Sequence, residues 1–313
     1  MTVNKDASDN KIYEGYSSCR LCPRQCGVNR NAGKKGFCGA GADIKVARAA
    51  LHMWEEPCIS AKGGSGTVFF SNCTLRCCYC QNYKISSEGF GREVSPERLS
   101  EIFLELQEKG AENISLVTAT HYLYGVLRAL DISRHKLKIP VVYNCGGYER
   151  VETLELLKDY VDIYLPDLKY HDSALSEKYS LAADYFDRAM EAIACMIEQK
   201  GGENMKTPPE GESLKEGVIV RHMVLPSHRD DSINILRHMA KELPKGRYLI
   251  SLMSQYTPFY KACEYKEINR RVTSFEYDSV VKEAIGLGLT EGYMQERSSA
   301  KEEYTPPFDL EGI

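Results

Sequence analysis

The segment Cys73-Thr-Leu-Arg-Cys77-Cys-Tyr-Cys80 restricts this chain more than any other. Its cysteines are spaced C-x3-C-x2-C and follow directly on Thr67-Val-Phe-Phe-Ser71, an apolar run that reads as a buried strand. Three thiolates on so short a loop can converge on one iron–sulfur cubane. A cubane has four irons, so one iron is left without a protein ligand, and an open coordination position marks catalysis rather than structural metal binding. The alternative is a zinc site or a plain electron-transfer centre. Either wants a fourth ligand, for which Cys78 is too crowded by its neighbours.

Cysteine usage elsewhere bears on the same point. Of the 12 cysteines, nine lie between Cys19 and Cys80. In a reducing compartment, clustered cysteines mean metal or redox chemistry more often than disulfides. The polar stretch Met1 to Asn10 has no apolar signal-like core, and no run of about 18 apolar residues occurs, so a cytoplasmic protein with no membrane span is expected. The formal net charge is −4 and no block of lysines or arginines stands out, which argues against a nucleic-acid or anionic-membrane partner.

A second group, Cys19-x2-Cys22-x3-Cys26-x11-Cys38, sits in a glycine-rich stretch with little hydrophobic periodicity. Four thiolates complete either a tetrahedral zinc site or a fully ligated cluster, and spacing does not choose between them. Free buried thiols are the third reading. Cys58, Cys145, Cys195 and Cys263 read as ordinary thiols.

From Thr67 onward, short apolar runs alternate with amphipathic stretches. Strands are expected at Thr67–Ser71, Ile114–Val117, Pro140–Tyr143, Asp162–Leu165, Val218–Val224 and Tyr248–Leu252. Helices are expected at Ser95–Gly110, around Leu123–Leu130, and at Val151–Tyr160, Ser232–Leu243 and Tyr277–Leu287. One long helix is expected from Ser173 to about Gln199. The polar segment Gly201–Gly217 reads as an exposed loop or insertion. Strand–helix alternation implies βαβ units and a parallel sheet. Six such strands predict an α/β fold, a partial (β/α)6 TIM-like barrel with a Cys-rich N-terminal extension. The expected division is 1–60 for the lobe, 61–300 for the barrel and 301–313 for a tail. Active sites in such barrels gather at the C-terminal ends of the strands.

The triplet, with Tyr79 before its last cysteine, resembles the signature of the radical S-adenosylmethionine (SAM) superfamily. The wider chain resembles the group similar to pyruvate formate-lyase activating enzyme, in particular its PflX-type subfamily. The resemblance rests on Cys19-Arg-Leu-Cys22-Pro-Arg-Gln-Cys26, Gly36-Phe-Cys38-Gly39, Val117-Thr-Ala-Thr-His121-Tyr122, Val142-Tyr-Asn144, Asp162-Ile-Tyr-Leu-Pro-Asp167-Leu-Lys169-Tyr170, Val220-Arg221-His222-Met-Val-Leu-Pro226 and Gln255-Tyr256. It implies a [4Fe-4S] cluster on Cys73, Cys77 and Cys80, whose open iron is chelated by SAM. It also implies a one-electron donor such as flavodoxin or ferredoxin, and a hydrogen atom taken from a substrate. That substrate is a glycyl radical enzyme if the resemblance extends so far, or else another protein, a peptide or a small molecule.

Candidate SAM contacts follow from position. Lys169 lies just past a strand end and would pair with a carboxylate, while Asp167 would accept from an amino group or ribose; a loop salt bridge between them is the plainer reading. Arg221 and His222 interrupt an apolar strand on opposite faces, and Arg221 is favoured for the site. Many relatives carry a Gly-Gly-Glu element where this chain has Thr118-Ala-Thr-His121, so Thr118, Thr120 and Asn144 stand as substitutes. Tyr79 either approaches the adenine or packs. An iron–sulfur electron carrier or metal-binding scaffold is the competing class, but it has no use for a thiolate triplet lacking a fourth ligand.

Overall fold

The structure is a computed structural model and describes residues 14–295 and 306–313, so the polar start of the chain and residues 301–305 of the expected tail lie outside the described residues. Nine strands form one sheet: β1 (Ile44–His52), β2 (Ser65–Phe70), β3 (Arg92–Val94), β4 (Ile114–Val117), β5 (Val141–Cys145), β6 (Ile163–Pro166), β7 (Gly217–Met223), β8 (Leu249–Met253) and β9 (Gly292–Met294). Their order is β3-β1-β2-β4-β5-β6-β7-β8-β9. From β2 through β9 every pairing is parallel, as expected for an α/β partial barrel. The six expected strands are β2 and β4 to β8. The sequence reading missed β1, β3 and β9. Two of these have only three residues, and β1 is rich in alanine, which blurs its alternation. β1 pairs antiparallel with both β2 and β3.

The outer layer comprises α1 (Pro96–Glu108), α2 (Leu123–Ser133), α3 (Val151–Leu157), α4 (Ser173–Ser180), α5 (Tyr185–Lys200), α6 (Arg229–Glu242) and α7 (Ser274–Gly286). Helix α1 begins where its sequence says it should: Ser95 accepts from the Arg98 N–H and Pro96 occupies the first turn. Leu99, Ile102, Phe103 and Leu106 form its buried stripe.

The single long helix expected from Ser173 is two helices. Helix α4 stops at Leu181, which adopts a left-handed conformation (φ 54°). The Leu181 N–H returns to the Glu177 carbonyl and the Ala182 N–H to the Ser176 carbonyl, an αL-type closure built on leucine instead of glycine. No glycine or proline advertised the break. The segment expected as a loop, Gly201–Gly217, is one up to Gly217, which begins β7, yet it is anchored: Met205 is buried and the Leu214 N–H donates to the Cys58 carbonyl.

Strand alternation sets the character of the inner face. Val142, Ile163, Leu165, Ile219 and Leu249 form an apolar base, closed by Cys58, Ile59 and Met205. Two residues further along the same faces, Asn144, Asp167 and Arg221 replace them with polar groups. The cysteine-rich lobe joins the main core through Tyr16, Cys19, Leu21 and Ala40. Residues 306–313 lie along β1: Leu310 donates to the Ala47 carbonyl, Ala49 donates to the Glu311 carbonyl, Phe308 packs edge-on against Phe69, and Arg48 pairs with Asp309 and Glu311. Among the described residues no helix is long and apolar enough to cross a membrane.

Candidate active site

The polar end of the inner face opens into a cavity walled by the loop after β2 and by the ends of β4 to β8. Cys73, Cys77 and Cys80 all line it, and Cys78 does not. The loop is shaped by left-handed backbone at Asn72 (φ 72°) and Arg76 (φ 55°). Asn72 donates to the Tyr122 hydroxyl at 2.8 Å. The Cys78 N–H donates to the Tyr179 carbonyl, and Cys78 lies on the side of Glu264 and Glu267.

The thiols are held by short polar contacts. The Ser180 hydroxyl donates to Cys77 Sγ at 2.9 Å, the Ser86 hydroxyl to Cys80 Sγ at 3.3 Å, and the Leu75 N–H to Cys73 Sγ at 3.4 Å. Burial pushes Cys73 up to about 11 and Cys80 up to about 12. Such thiols become thiolates when a metal centre supplies the compensating positive charge, so the donor set fits a cluster.

Lys169 faces this triplet. Burial works to lower its pKa, but Asp167 and Cys77 outweigh burial and hold it raised. Its Nζ donates to Asp167 Oδ2 at 2.6 Å. The carboxyl of Asp167, which burial would raise, is lowered by Arg221 and Lys169. The two candidate SAM contacts are thus an ion pair on the cavity wall, and one lysine nitrogen still carries donors for a ligand.

Arg221 stands on the wall, as expected, and His222 points the other way. His222 is buried between the Leu168 carbonyl and the Ser232 hydroxyl. Arg221, expected to contact a ligand carboxylate or ribose, lies on the cavity wall among protein partners. Its guanidinium donates to Glu55 Oε2 at 3.1 Å and to Asn144 Oδ1 at 2.7 Å. Its Nε lies 2.8 Å from Asp167 Oδ1, an off-line ion pair. Both terminal nitrogens donate to protein, so Arg221 positions its neighbours from the cavity wall. Asn144 is similarly engaged, its amide donating to Glu55 Oε1 at 3.3 Å.

Thr120, offered as a substitute contact, lies off the cavity wall. It starts the 3-10 turn Thr120–Tyr122, which rotates its hydroxyl off the wall and into the protein, 2.9 Å from the Tyr143 hydroxyl and 2.8 Å from Glu149 Oε1. Thr118 does line the cavity, with φ 60°. A β-branched residue there is strained, as is common beside functional sites. Tyr79 lines the cavity but is mostly packed: its hydroxyl lies 2.6 Å from that of Tyr170, and its ring stands edge-on to Tyr256 at 5.7 Å.

Two acids on the wall escaped the sequence reading. Glu55 comes from the loop just after β1, and burial raises its pKa against the pull of Arg221. Behind it, burial raises Glu56 to about 7. Glu149 follows the turn Gly146-Gly147, where Gly147 has φ 78° and a Cβ would overlap the Asp167 carbonyl oxygen. Burial raises Glu149 to about 8, and its partners are the neutral hydroxyls of Thr120 and Tyr143. A glycine pair followed by a glutamate at a strand end was the available signal.

The N-terminal cysteines are neighbours of this site. Arg24 clasps the triplet loop, its Nε donating to the Thr74 carbonyl at 2.6 Å, its other nitrogens to the Leu181 and Ser180 carbonyls, and its guanidinium stacking on Phe37 at 3.5 Å. Burial raises Cys22 to about 12, with Cys38 and Cys19 close enough to add to the effect. Among the described residues, no three His, Cys, Asp or Glu side chains are gathered tightly enough to hold a single metal ion. Cys19, Cys22, Cys26 and Cys38 are therefore adjacent without forming a finished single-ion cage.

The chain is 31% identical over 288 residues to an uncharacterized protein of Methanocaldococcus jannaschii, an alignment covering 89% of this chain and 75% of that protein. Among solved structures it is similar to SuiB of Streptococcus suis bound to the precursor peptide SuiA, with 14% identity and a TM-score of 0.49 over 72% of this chain. It spans 46% of SuiB, less than half that protein's length. It is also similar to methylornithine synthase (PylB), with 14% identity and a TM-score of 0.48 over 96% of this chain and 77% of that one. The sequence model of the Radical SAM superfamily matches residues 67–239, which run from β2 and the cysteine triplet through the β7 strand that carries Arg221. A match over that span places the chain by its parallel sheet and cysteine loop together: it belongs to the radical SAM superfamily.

Proposed function

We propose that Cys73, Cys77 and Cys80 carry the [4Fe-4S] cluster of this radical SAM enzyme and that SAM occupies the cavity they line. The observation that carries this reading is that all three thiols share one wall with Lys169, while Cys78 is excluded from it. Held by Cys73, Cys77 and Cys80, a reduced cluster would supply the single electron for reductive cleavage of SAM, chemistry that belongs to the cofactor. The chain's own residues bind and orient. Lys169 takes the SAM carboxylate as a charge-assisted donor. Glu149, whose partners are neutral, takes the ammonium together with Thr118. Arg221, Glu55 and Asn144 hold Asp167 and hence Lys169 in place. Tyr79 and Tyr256 exclude water from one side.

The substrate reading is hydrogen abstraction from a protein partner, with activation of a glycyl radical enzyme as the specific form, supported by the likeness of the sequence motifs to pyruvate formate-lyase activating enzyme and its PflX-type subfamily. A one-electron donor such as flavodoxin or ferredoxin serves the cluster. Cys19, Cys22, Cys26 and Cys38 are the candidate seat of zinc or a second iron–sulfur cluster, and metal analysis of Cys22→Ala tests it.

The test of the central reading is anaerobic reconstitution with iron and sulfide, reduction, and measurement of 5′-deoxyadenosine. Wild type and Cys78→Ala should form it, and Cys77→Ala should not. Product from Cys77→Ala at the wild-type rate, or none from wild type, rejects it.

A further inference from the structure

A second cleft lies outside the candidate active site, between the loop 171–173, α5 and α6. Three of the chain's seven histidines line it, His171, His228 and His238. Four aspartates line it as well, Asp172, Asp187, Asp230 and Asp231, with no lysine or arginine. His228 is occupied by the Tyr179 hydroxyl at 2.9 Å. His171 and His238 face each other, with His171 Nε2 3.2 Å from His238 Nδ1.

That separation is informative. Two imidazole nitrogens about 2.0–2.1 Å from one metal ion and 3.2 Å apart subtend roughly 100° at the ion, between octahedral and tetrahedral geometry. The rings are also held in place. Phe186 packs against both, at 4.6 Å from His171 and 5.1 Å from His238. The Asp231 carboxylate accepts from the backbone N–H groups of His171 and Asp172, which fixes the loop that carries the first ring. Paired imidazoles select a transition metal over magnesium or calcium, and the acidic lining concentrates cations.

We propose that His171 and His238 chelate one divalent transition-metal ion of the zinc class. Asp187, which has no side-chain partner among the described residues, or solvent completes the shell. Among the described residues no third protein ligand stands in place beforehand, so the site is a two-histidine clip of modest affinity. In its ion-free form the two rings share one hydrogen bond. The ion ties the loop 171–173 to α6. His171 is two residues beyond Lys169, so the clip steadies the segment that presents Lys169 to the main cavity.

The experiment is equilibrium dialysis of the reconstituted protein against zinc, with bound zinc counted by elemental analysis. Wild type is compared with His171→Ala, His238→Ala, His238→Gln and the exposed control His135→Ala. Zinc on the cysteines is common to all five and cancels. Wild type and His135→Ala should hold one equivalent that the His171 and His238 variants lack or bind at least about tenfold more weakly. His238→Gln, which keeps the side chain's bulk, guards against a folding artefact in the alanine variants. Equal zinc stoichiometry and affinity in wild type and His238→Gln overturns the proposal, whether or not the protein cleaves SAM.

Discussion

Glu149 makes the charge state of the cavity wall measurable without any cofactor chemistry. Its carboxyl is raised from an ordinary 4.5 to about 8 because burial penalises the anion and only neutral hydroxyls solvate it. Between these two values the folded protein keeps a proton that the unfolded chain has lost, so rising pH drains stability from the native state. The loss starts near pH 4.5, grows to about pH 8 and then levels off, when both states are ionised. Each pKa unit corresponds to about 1.4 kcal/mol, so this single group sets a ceiling on the order of 5 kcal/mol across the window. Glu149→Gln keeps the shape and an acceptor for Thr120 while removing the titration. Paired guanidinium unfolding curves, recorded anaerobically from about pH 5 to about pH 8.5, should show wild type falling steadily relative to the variant. The variant should become the more stable of the two by a few kcal/mol at the alkaline end. Parallel stability profiles would refute the assignment of a protonated, uncompensated carboxyl to this wall.

Other perturbations test the remaining elements. Arg221→Met strips the shared cation from Glu55, Glu56 and Asp167 and should cost about 3–5 kcal/mol at neutral pH, shrinking in acid as those carboxyls protonate; thermal melts at two pH values check this. Gly147→Ala forces a Cβ onto the Asp167 carbonyl in a left-handed conformation. It should lower stability by about 2 kcal/mol or more and weaken SAM binding in dialysis. Leu181→Gly relieves the left-handed leucine at the α4 terminus and should leave stability unchanged or raise it by up to about 1 kcal/mol, read from denaturation midpoints. Ser180→Ala removes the hydroxyl that donates to Cys77 Sγ and should move the cluster's reduction potential to more negative values by tens of millivolts in an EPR-monitored redox titration.

The parallel strands were readable because each is a short apolar run followed by an amphipathic stretch. The triplet was readable because ligand spacing on a loop is local information. What escaped was non-local. Glu55 reaches Asn144 and Arg221 across 89 and 166 residues, and nothing in the text around Met53-Trp-Glu-Glu56 announces a cavity wall. Alternation correctly separated Arg221 from His222, since period two is a property of the strand itself. It gave no hint that Glu55, Asn144 and Asp167 would surround the guanidinium. Thr120 was misplaced by a single 3-10 turn, and the α4–α5 break by a leucine doing what glycine usually does. Such features depend on the tertiary surroundings overriding the local preference of one residue.

The short run of chain beyond residue 305 has a bearing on handling this protein. Strand β3 covers only the first three residues of β1, Ile44 to Val46. The next stretch, Ala47-Arg-Ala-Ala-Leu51, would otherwise present a bare row of peptide groups, a template for self-association. Leu310 and Glu311 occupy part of that row, and the acids that pair with Arg48 bring charge to a rim otherwise dominated by alanine. Deleting residues 307–313 should keep Pro306 on the cavity wall and yet leave the protein prone to aggregation. A purification tag fused at that end is better set on a spacer.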